Sequence, residues 1–292
     1  MKFLNFEQNQ KTQLGVIYKE EVIAISSIKG YENITCMIEL IKKVGDDVKT
    51  LEKAILDSGN LEKYDESKVV VKSPIKKPIH DVLCVGVNYK AHLEESVKAM
   101  PSIEEPKKPV FFSKRSSNIL GPVDDVPNVE KWETDFDYEV ELAVIIGKEG
   151  IDIKASEVED YIFGYSVFND LSARNLQKSH QQWYKGKSLD NTSIMGPYIV
   201  HKSEIAYPPQ LDISCSINGE VRQSSNTNML IHDIGSLIEQ LSAGCTLEAG
   251  DIIITGTPAG VGMGFNPPKY LKIGDVMECT VEKVGTITNK IV

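Results

Sequence analysis

Residues 137–146 read Asp137-Tyr-Glu-Val-Glu-Leu-Ala-Val-Ile-Ile146. Alternate residues of a strand share a face. Tyr138, Val140, Leu142, Val144 and Ile146 then make one apolar face. Asp137, Glu139 and Glu141 open the other, which continues as Ala143 and Ile145. Glu139 and Glu141 therefore project together from a strand whose later residues are apolar on both sides. Burying paired carboxylates without compensation is costly. A hard divalent cation would offset the repulsion, and oxygen ligands suit Mg²⁺, Mn²⁺ or Ca²⁺. A solvated strand edge is the structural alternative.

Working outward, the same β pattern recurs at Asp81–Val87, Pro109–Ser113, Tyr161–Phe168, Tyr198–His201, Leu211–Asn218, Asp251–Thr255 and Val276–Val281. Asn218-Gly219 is a hairpin turn signal. Helices are expected at Ala91–Ala99, from Ser156 with Glu159 completing a capping box, and at His232–Leu241. The expected class is a strand-dominated α/β (α+β) domain without the regular alternation of a doubly wound sheet. Residues 1–72 read as a small N-terminal α+β module. It has a hairpin around Lys19-Glu20-Glu21, helical spacing from Ile34 to Leu56 and a short strand at Lys68–Lys72. The linker is placed at 73–78, where two prolines interrupt pairing, and the main domain at 79–292.

A third acid strengthens the cation reading. The apolar run Phe163–Phe168 ends in Asn169-Asp170, and Asp170 at a strand end could complete a three-carboxylate site with positions left for substrate. It could equally serve as a helix N-cap. In Val85-Gly-Val-Asn-Tyr-Lys-Ala-His92-Leu-Glu-Glu95, His92 and Glu95 lie three apart and share a helical face. A glutamate beside a histidine fixes its tautomer and raises its basicity, so the pair could take a proton from water. The alternative is a chance pair on an exposed helix. Arg174 and Gln177 could hold a carboxylate or carbonyl, and Lys187 in the loop Lys185-Gly-Lys187-Ser-Leu-Asp190 could stabilise an oxyanion or simply be solvated. Thr255-Gly-Thr-Pro-Ala-Gly-Val-Gly262 follows a strand. Its glycines permit close backbone approach to a ligand. Ser96 to Pro106, with two prolines after the dyad, is expected to be a mobile lid.

Composition narrows the function classes. The chain has 292 residues, and its net charge of −10 makes nucleic acid an improbable partner. An anionic small substrate would need a local cationic pocket. Only three arginines are present, Arg115, Arg174 and Arg222. No apolar run is long enough to span a bilayer. Glu7 and Gln8 stand where a signal peptide needs its apolar stretch. The five cysteines are widely spaced without C-x-x-C. They read as reduced thiols, mostly buried, in a cytoplasmic protein.

Together the segments VGVNYKAHLEE, ILGP, DYEVELAVIIGK, FGYSVFNDLSARNLQ, GKSLD with GP, and ITGTPAGVG resemble the fumarylacetoacetate hydrolase family, in that family's order, from about Asp81 to the C-terminus. The resemblance implies a mixed β-sandwich roll around Mg²⁺ or Mn²⁺ and a homodimer. By motif position it implies Glu139, Glu141 and Asp170 as metal ligands, His92 and Glu95 as a water-activating dyad, and Lys187 as the catalytic lysine. Arg174, Gln177 and Thr257 are implied as substrate contacts. The N-terminal module is similar to the small extra domain of longer bacterial members. Arg115, Asn175, Thr192 and Ile194 depart from the family pattern, and they bear on substrate preference. The expected activity is hydrolysis of a carbon–carbon bond in a β-diketo acid or acylpyruvate. Alternatives on the same site are decarboxylation or isomerisation of a keto or dienoic diacid. A noncatalytic metal- or ligand-binding protein is the alternative of another class.

Overall fold

The computed structural model describes residues 1–99 and 107–292. The architecture is mixed α/β and dominated by strands. The first part of the chain forms β1 (Lys2–Gln8), β2 (Lys11–Tyr18), β3 (Glu21–Ala24), β4 (Lys63–Asp65) and β5 (Val70–Lys72), with α1 (Met37–Val44) and α2 (Val48–Asp57) between β3 and β4. Next come β6 (Val82–Gly86), α3 (Lys90–Ala99), β7 (Val110–Lys114), the two-residue β8 (Phe136–Asp137), β9 (Val140–Ile146) and β10 (Ile162–Asp170). The chain continues through β11 (Ser172–Ala173), α4 (Arg174–Ser179), α5 (Tyr184–Lys187), β12 (Ser193–His201), β13 (Asp212–Ile217) and β14 (Glu220–Asn226). Last are α6 (Ile234–Ser242), β15 (Ile252–Ile254), β16 (Val276–Val281) and β17 (Gly285–Lys290).

The large sheet runs β4-β3-β2-β1-β12-β10-β9-β15-β6-β7, with β5 added beside β1. β1 pairs with β12, Lys2 opposite Val200, so hydrogen bonding carries the N-terminal strands directly into the sheet of the main domain. A second sheet, β14-β13-β16-β17, packs against one face. The alternation in β9 explains the layering. Val140, Leu142, Val144 and Ile146 join the core shared with Ile213, Ile217, Met277 and Val281 of the second sheet. Ala143 and Ile145 join the other core, against Leu40 and Ile41 of α1 and Leu51 of α2. Every residue of β9 and of β10 is buried.

Local chemistry sets most boundaries. Lys19 and Glu20 adopt positive φ between β2 and β3, and Asn218 and Gly219 do so between β13 and β14, as their hairpin signals imply. The helical spacing from Ile34 to Leu56 resolves into two helices, not one. Gly45, at φ 50°, ψ −128°, ends α1 in a conformation that suits glycine, and the Asp47 side chain caps α2 at the Thr50 N–H. The stretch after Ser156 is a 3₁₀ segment, Ala155–Tyr161, with no side-chain cap at its start. The third expected helix begins at Ile234, with the Asp233 side chain accepting from the Ser236 N–H. Cys84, Cys215 and Cys279 are buried, whereas Cys36 and Cys245 are exposed. α3 runs on to Ala99, and the remainder of the lid expected at 96–106 lies outside the described residues. Among the described residues no helix is long and apolar enough to cross a membrane.

Candidate active site

Tyr138 and Glu139 lie between β8 and β9, so Glu139 stands just ahead of the strand that carries Glu141. Asn169 accepts the Glu139 N–H at its side-chain oxygen, 3.1 Å away. Asp170 closes β10 beside it, its N–H donating to the Glu139 carbonyl at 2.8 Å. The result is a cluster of Glu139, Glu141 and Asp170, each at most 5% exposed, whose ligand oxygens lie within 4.8 Å of one another.

Three buried cations meet this cluster. Lys187 Nζ stands 2.6 Å from Glu139 Oε2 and 2.6 Å from Asp170 Oδ2. Arg174 donates through Nη1 to Glu139 Oε1 at 2.7 Å and through Nε to Asp137 Oδ2 at 2.9 Å. Lys114 Nζ is 2.8 Å from Asp170 Oδ1 and donates to the Leu171 carbonyl and the Thr192 hydroxyl. With Asp137 counted, four buried carboxylates face three buried cations. Among the described residues one negative charge is left over.

The imbalance falls on Glu141. Its carboxylate accepts the Gly256 N–H at 2.5 Å. Burial pushes its carboxyl well above the usual range, and the Asp170 and Glu139 charges push the same way. Burial also acts against ionised Glu139, but Lys187 and Arg174 outweigh it and hold that carboxyl down at about 2. Burial opposes the Lys187 ammonium too, yet Asp170 and Glu139 raise its value overall. Lys114 is depressed, because burial there outweighs Asp170.

The cluster fits a hard divalent cation. Its donors are all oxygen. Asp170 Oδ1 is buried without a hydrogen-bond donor in proper geometry, despite the nearby Lys114 charge. Oxygens around a six-coordinate ion at about 2.1 Å stand at most about 4.2 Å apart, so the observed spread needs only a small contraction. Soft or thiolate-bound metals are disfavoured by the same donor set.

His92 and Glu95 come together as their spacing predicts, with Nδ1 3.1 Å from Glu95 Oε2. His92 lines the same small cavity, of about 30 Å³, as Glu139, Glu141, Arg174, Gln177, Lys187 and Thr257. A carboxylate at Nδ1 favours the tautomer protonated there and leaves Nε2 basic. Gln177 accepts from Arg174 Nη1 at 3.0 Å. Thr257 is more committed than expected. Its hydroxyl donates to the Val140 carbonyl at 2.9 Å and accepts from Gln223 at 2.7 Å.

The glycine-rich loop after β15 takes a role that its sequence did not disclose. Its amides bind the protein's own carboxylates. Gly256 N–H donates to Glu141, Gly260 N–H to Glu95, and Gly262 and Met263 N–H to Asp137. A Cβ on Gly264 would overlap the Glu95 carboxylate, and one on Gly260 would overlap the Arg222 carbonyl. Asp137 and Lys114 are the residues that sequence reasoning passed over. Asp137 sat on the same predicted face as Glu139 and Glu141, which was a usable signal. Lys114 carried none. Asn88 was also missed: it joins the Thr255 carbonyl to the backbone of His232 and so fixes the turn before α3. Val87, just ahead of it, lines the cavity at φ 53°, a strained setting for a β-branched residue.

The sequence model of the fumarylacetoacetate (FAA) hydrolase C-terminal region matches residues 81–292. The chain belongs to the fumarylacetoacetate hydrolase family. It is similar to the oxaloacetate tautomerase YisK of Bacillus subtilis (strain 168), with 45% identity over 228 residues, covering 78% of this chain and 75% of that protein. Among solved structures it is similar to the fumarylacetoacetate hydrolase of psychrophilic Exiguobacterium antarcticum, with 34% identity and a TM-score of 0.84, covering 100% of this chain and 99% of that one. It is also similar to maleylpyruvate hydrolase of Sphingobium sp. SYK-6 in complex with manganese(II) ion and pyruvate, with 28% identity and a TM-score of 0.78, covering 100% and 99% of the two chains. The family thus spans tautomerases and hydrolases, and this member is an enzyme of that family.

Proposed function

We propose that this enzyme interconverts the keto and enol forms of a short 2-oxo dicarboxylate of the oxaloacetate type, dependent on Mg²⁺ or Mn²⁺. The observation that carries the reading is that Glu139 and Glu141, of the buried cluster completed by Asp170, line the same cavity as His92, which is paired with Glu95. The tautomerase YisK, 45% identical to this chain, supports the choice of reaction. Glu139, Glu141 and Asp170 would hold the ion, which when bound would polarise the 2-oxo group and acidify the neighbouring C–H. His92 takes the proton from that carbon at Nε2 and returns it to the oxygen, or the reverse. Glu95 stabilises the imidazolium formed in between. Lys187 and Arg174 supply the positive charge that an anionic substrate needs inside an acidic protein. Gln177 and Thr257 are proposed to border the substrate. A cytoplasmic homodimer belongs to the same proposal, with sedimentation velocity as its check.

The His92–Glu95 pair also suits a second reading, hydrolysis of a carbon–carbon bond in an acylpyruvate, with the same base deprotonating water. One experiment separates these. Enol absorbance of oxaloacetate is followed with Mg²⁺, with Mn²⁺ and with chelator, in the wild type and in His92→Ala, beside product analysis on acylpyruvates. Metal-dependent enol–keto exchange, reduced about 10²-fold or more in the variant, is the expected outcome. Release of two carboxylic acids from an acylpyruvate, with no accelerated exchange, would establish the hydrolase instead. Loss of carbon dioxide from oxaloacetate that persists in His92→Ala would point to a decarboxylase, which needs no general base.

A further inference from the structure

Beside its charged residues, the cavity of about 30 Å³ is lined by Val85, Gly86, Val87, Phe112, Trp183 and Met263. Trp183 is the largest of these and stands half-buried. It lies so close over Gly86 that a Cβ there would overlap its ring. Phe112 braces it from the side, centroid 5.2 Å away at 75°, an edge-to-face arrangement that holds the indole in place. Trp183 is also coupled to the charged half of the site. Its carbonyl accepts the Lys187 N–H at 3.1 Å, so wall and lysine sit on successive turns of one short helical segment. Lys187 Nζ in turn lies 5.5 Å from the Phe112 centroid.

We propose that Trp183, seated on Gly86 and braced by Phe112, determines how long a substrate the cavity accepts. It limits the site to 2-oxo acids whose far end is no larger than a carboxylate. A substituent beyond that point would have to occupy the space of the indole. The inference rests on the reading of the site as one for 2-oxo acids. It deepens that reading by excluding aryl and long acyl groups.

The test is calorimetry on the manganese-loaded protein with oxalate, oxaloacetate and benzoylpyruvate, run beside turnover of oxaloacetate. Trp183→Ala should bind benzoylpyruvate about tenfold or more tightly than the wild type, the scale on which an apolar pocket discriminates size. Oxalate, which does not reach the wall, should bind both within about twofold. Trp183→Phe should fall between the two. It also serves as the informative variant if Trp183→Ala loses oxalate binding and with it the fold. Wild-type protein that already binds benzoylpyruvate as tightly as oxaloacetate would overturn the inference. So would variants that retain oxalate binding and show no gain for the larger ligand. Binding without turnover in the wild type would remove the tautomerase reading and leave the wall tested. A wild type that binds none of the three ligands would remove both.

Discussion

Asp137 shows how one residue can organise a site without facing its cavity. Its two oxygens accept from Arg174 Nε and from the Gly262 and Met263 amides. It thereby joins the arginine on α4 to the glycine-rich loop. The side chain is fully buried, and an uncompensated buried cation is expensive. Asp137→Asn keeps the shape and removes the charge. It should cost about 3 kcal/mol of stability, read as a lower midpoint in denaturant unfolding. It should also weaken substrate binding more than metal binding, because Arg174 is then held mainly by Glu139. A midpoint unchanged from the wild type would show that Arg174 does not depend on this carboxylate.

At the scale of elements, the loop after β15 acts as a comb of backbone donors. Glycine is required where a side chain would occupy the space of an acid. Gly264 is the sharpest instance, because a Cβ there meets Glu95. Gly264→Ala should push Glu95 away from His92 while leaving Glu139, Glu141 and Asp170 in place. Turnover is expected to fall about 10²-fold, with metal affinity unchanged in titration calorimetry. Equal losses in both would mean that the loop supports the whole site and not the dyad alone. The existence of this loop and of the strands feeding it was legible from local pattern. Its donors' targets were not, because Glu95, Asp137 and Glu141 lie more than a hundred residues away in the chain. The division of residues 34–56 into α1 and α2 was hidden for a different reason. Apolar spacing continues across Gly45, and only the backbone conformation there breaks the helix. The capping-box pattern at Ser156 was satisfied on paper, but the segment is a tight 3₁₀ turn packed against α6 by the buried Val158. Packing overrode propensity there.

Over the whole molecule, long-range ties join the segment before β6 to the core. His80 Nδ1 lies 2.7 Å from Asp251 Oδ1, and Nε2 lies 3.7 Å from Glu248. The hydrogen bond to Asp251 raises the His80 value above its ordinary 6.5, although slight burial acts the other way. For a raised histidine the stabilisation is complete below its unfolded value and fades as pH rises through the folded one. His80→Gln should therefore lower the melting temperature most near pH 6 and least near pH 8.5, with thermal unfolding across that range as the check. A difference independent of pH would assign His80 a purely steric role. The ring is half-exposed, so the effect should be modest.

What the sequence determined by itself was the inventory and the order: β9 with its two apolar faces, Glu139 and Glu141 side by side, and His92 three residues before Glu95. Asp170 at the end of an apolar strand was also readable. These depend on spacings of two, three or four residues, which the geometry of a strand or helix fixes locally. Tertiary structure decided the rest. It ran β1 onto β12, so that the N-terminal strands extend the main sheet. It drew Lys114 and Lys187 onto Asp170 from opposite directions along the chain, and set Trp183 on Gly86. Most of these pairings close a long loop, and the sequence holds no record of which distant segments meet. The physical reason is that burial selects partners by shape and charge balance in three dimensions. Four acids could be enclosed here because three cations and a row of backbone amides arrive from four separate segments to meet them.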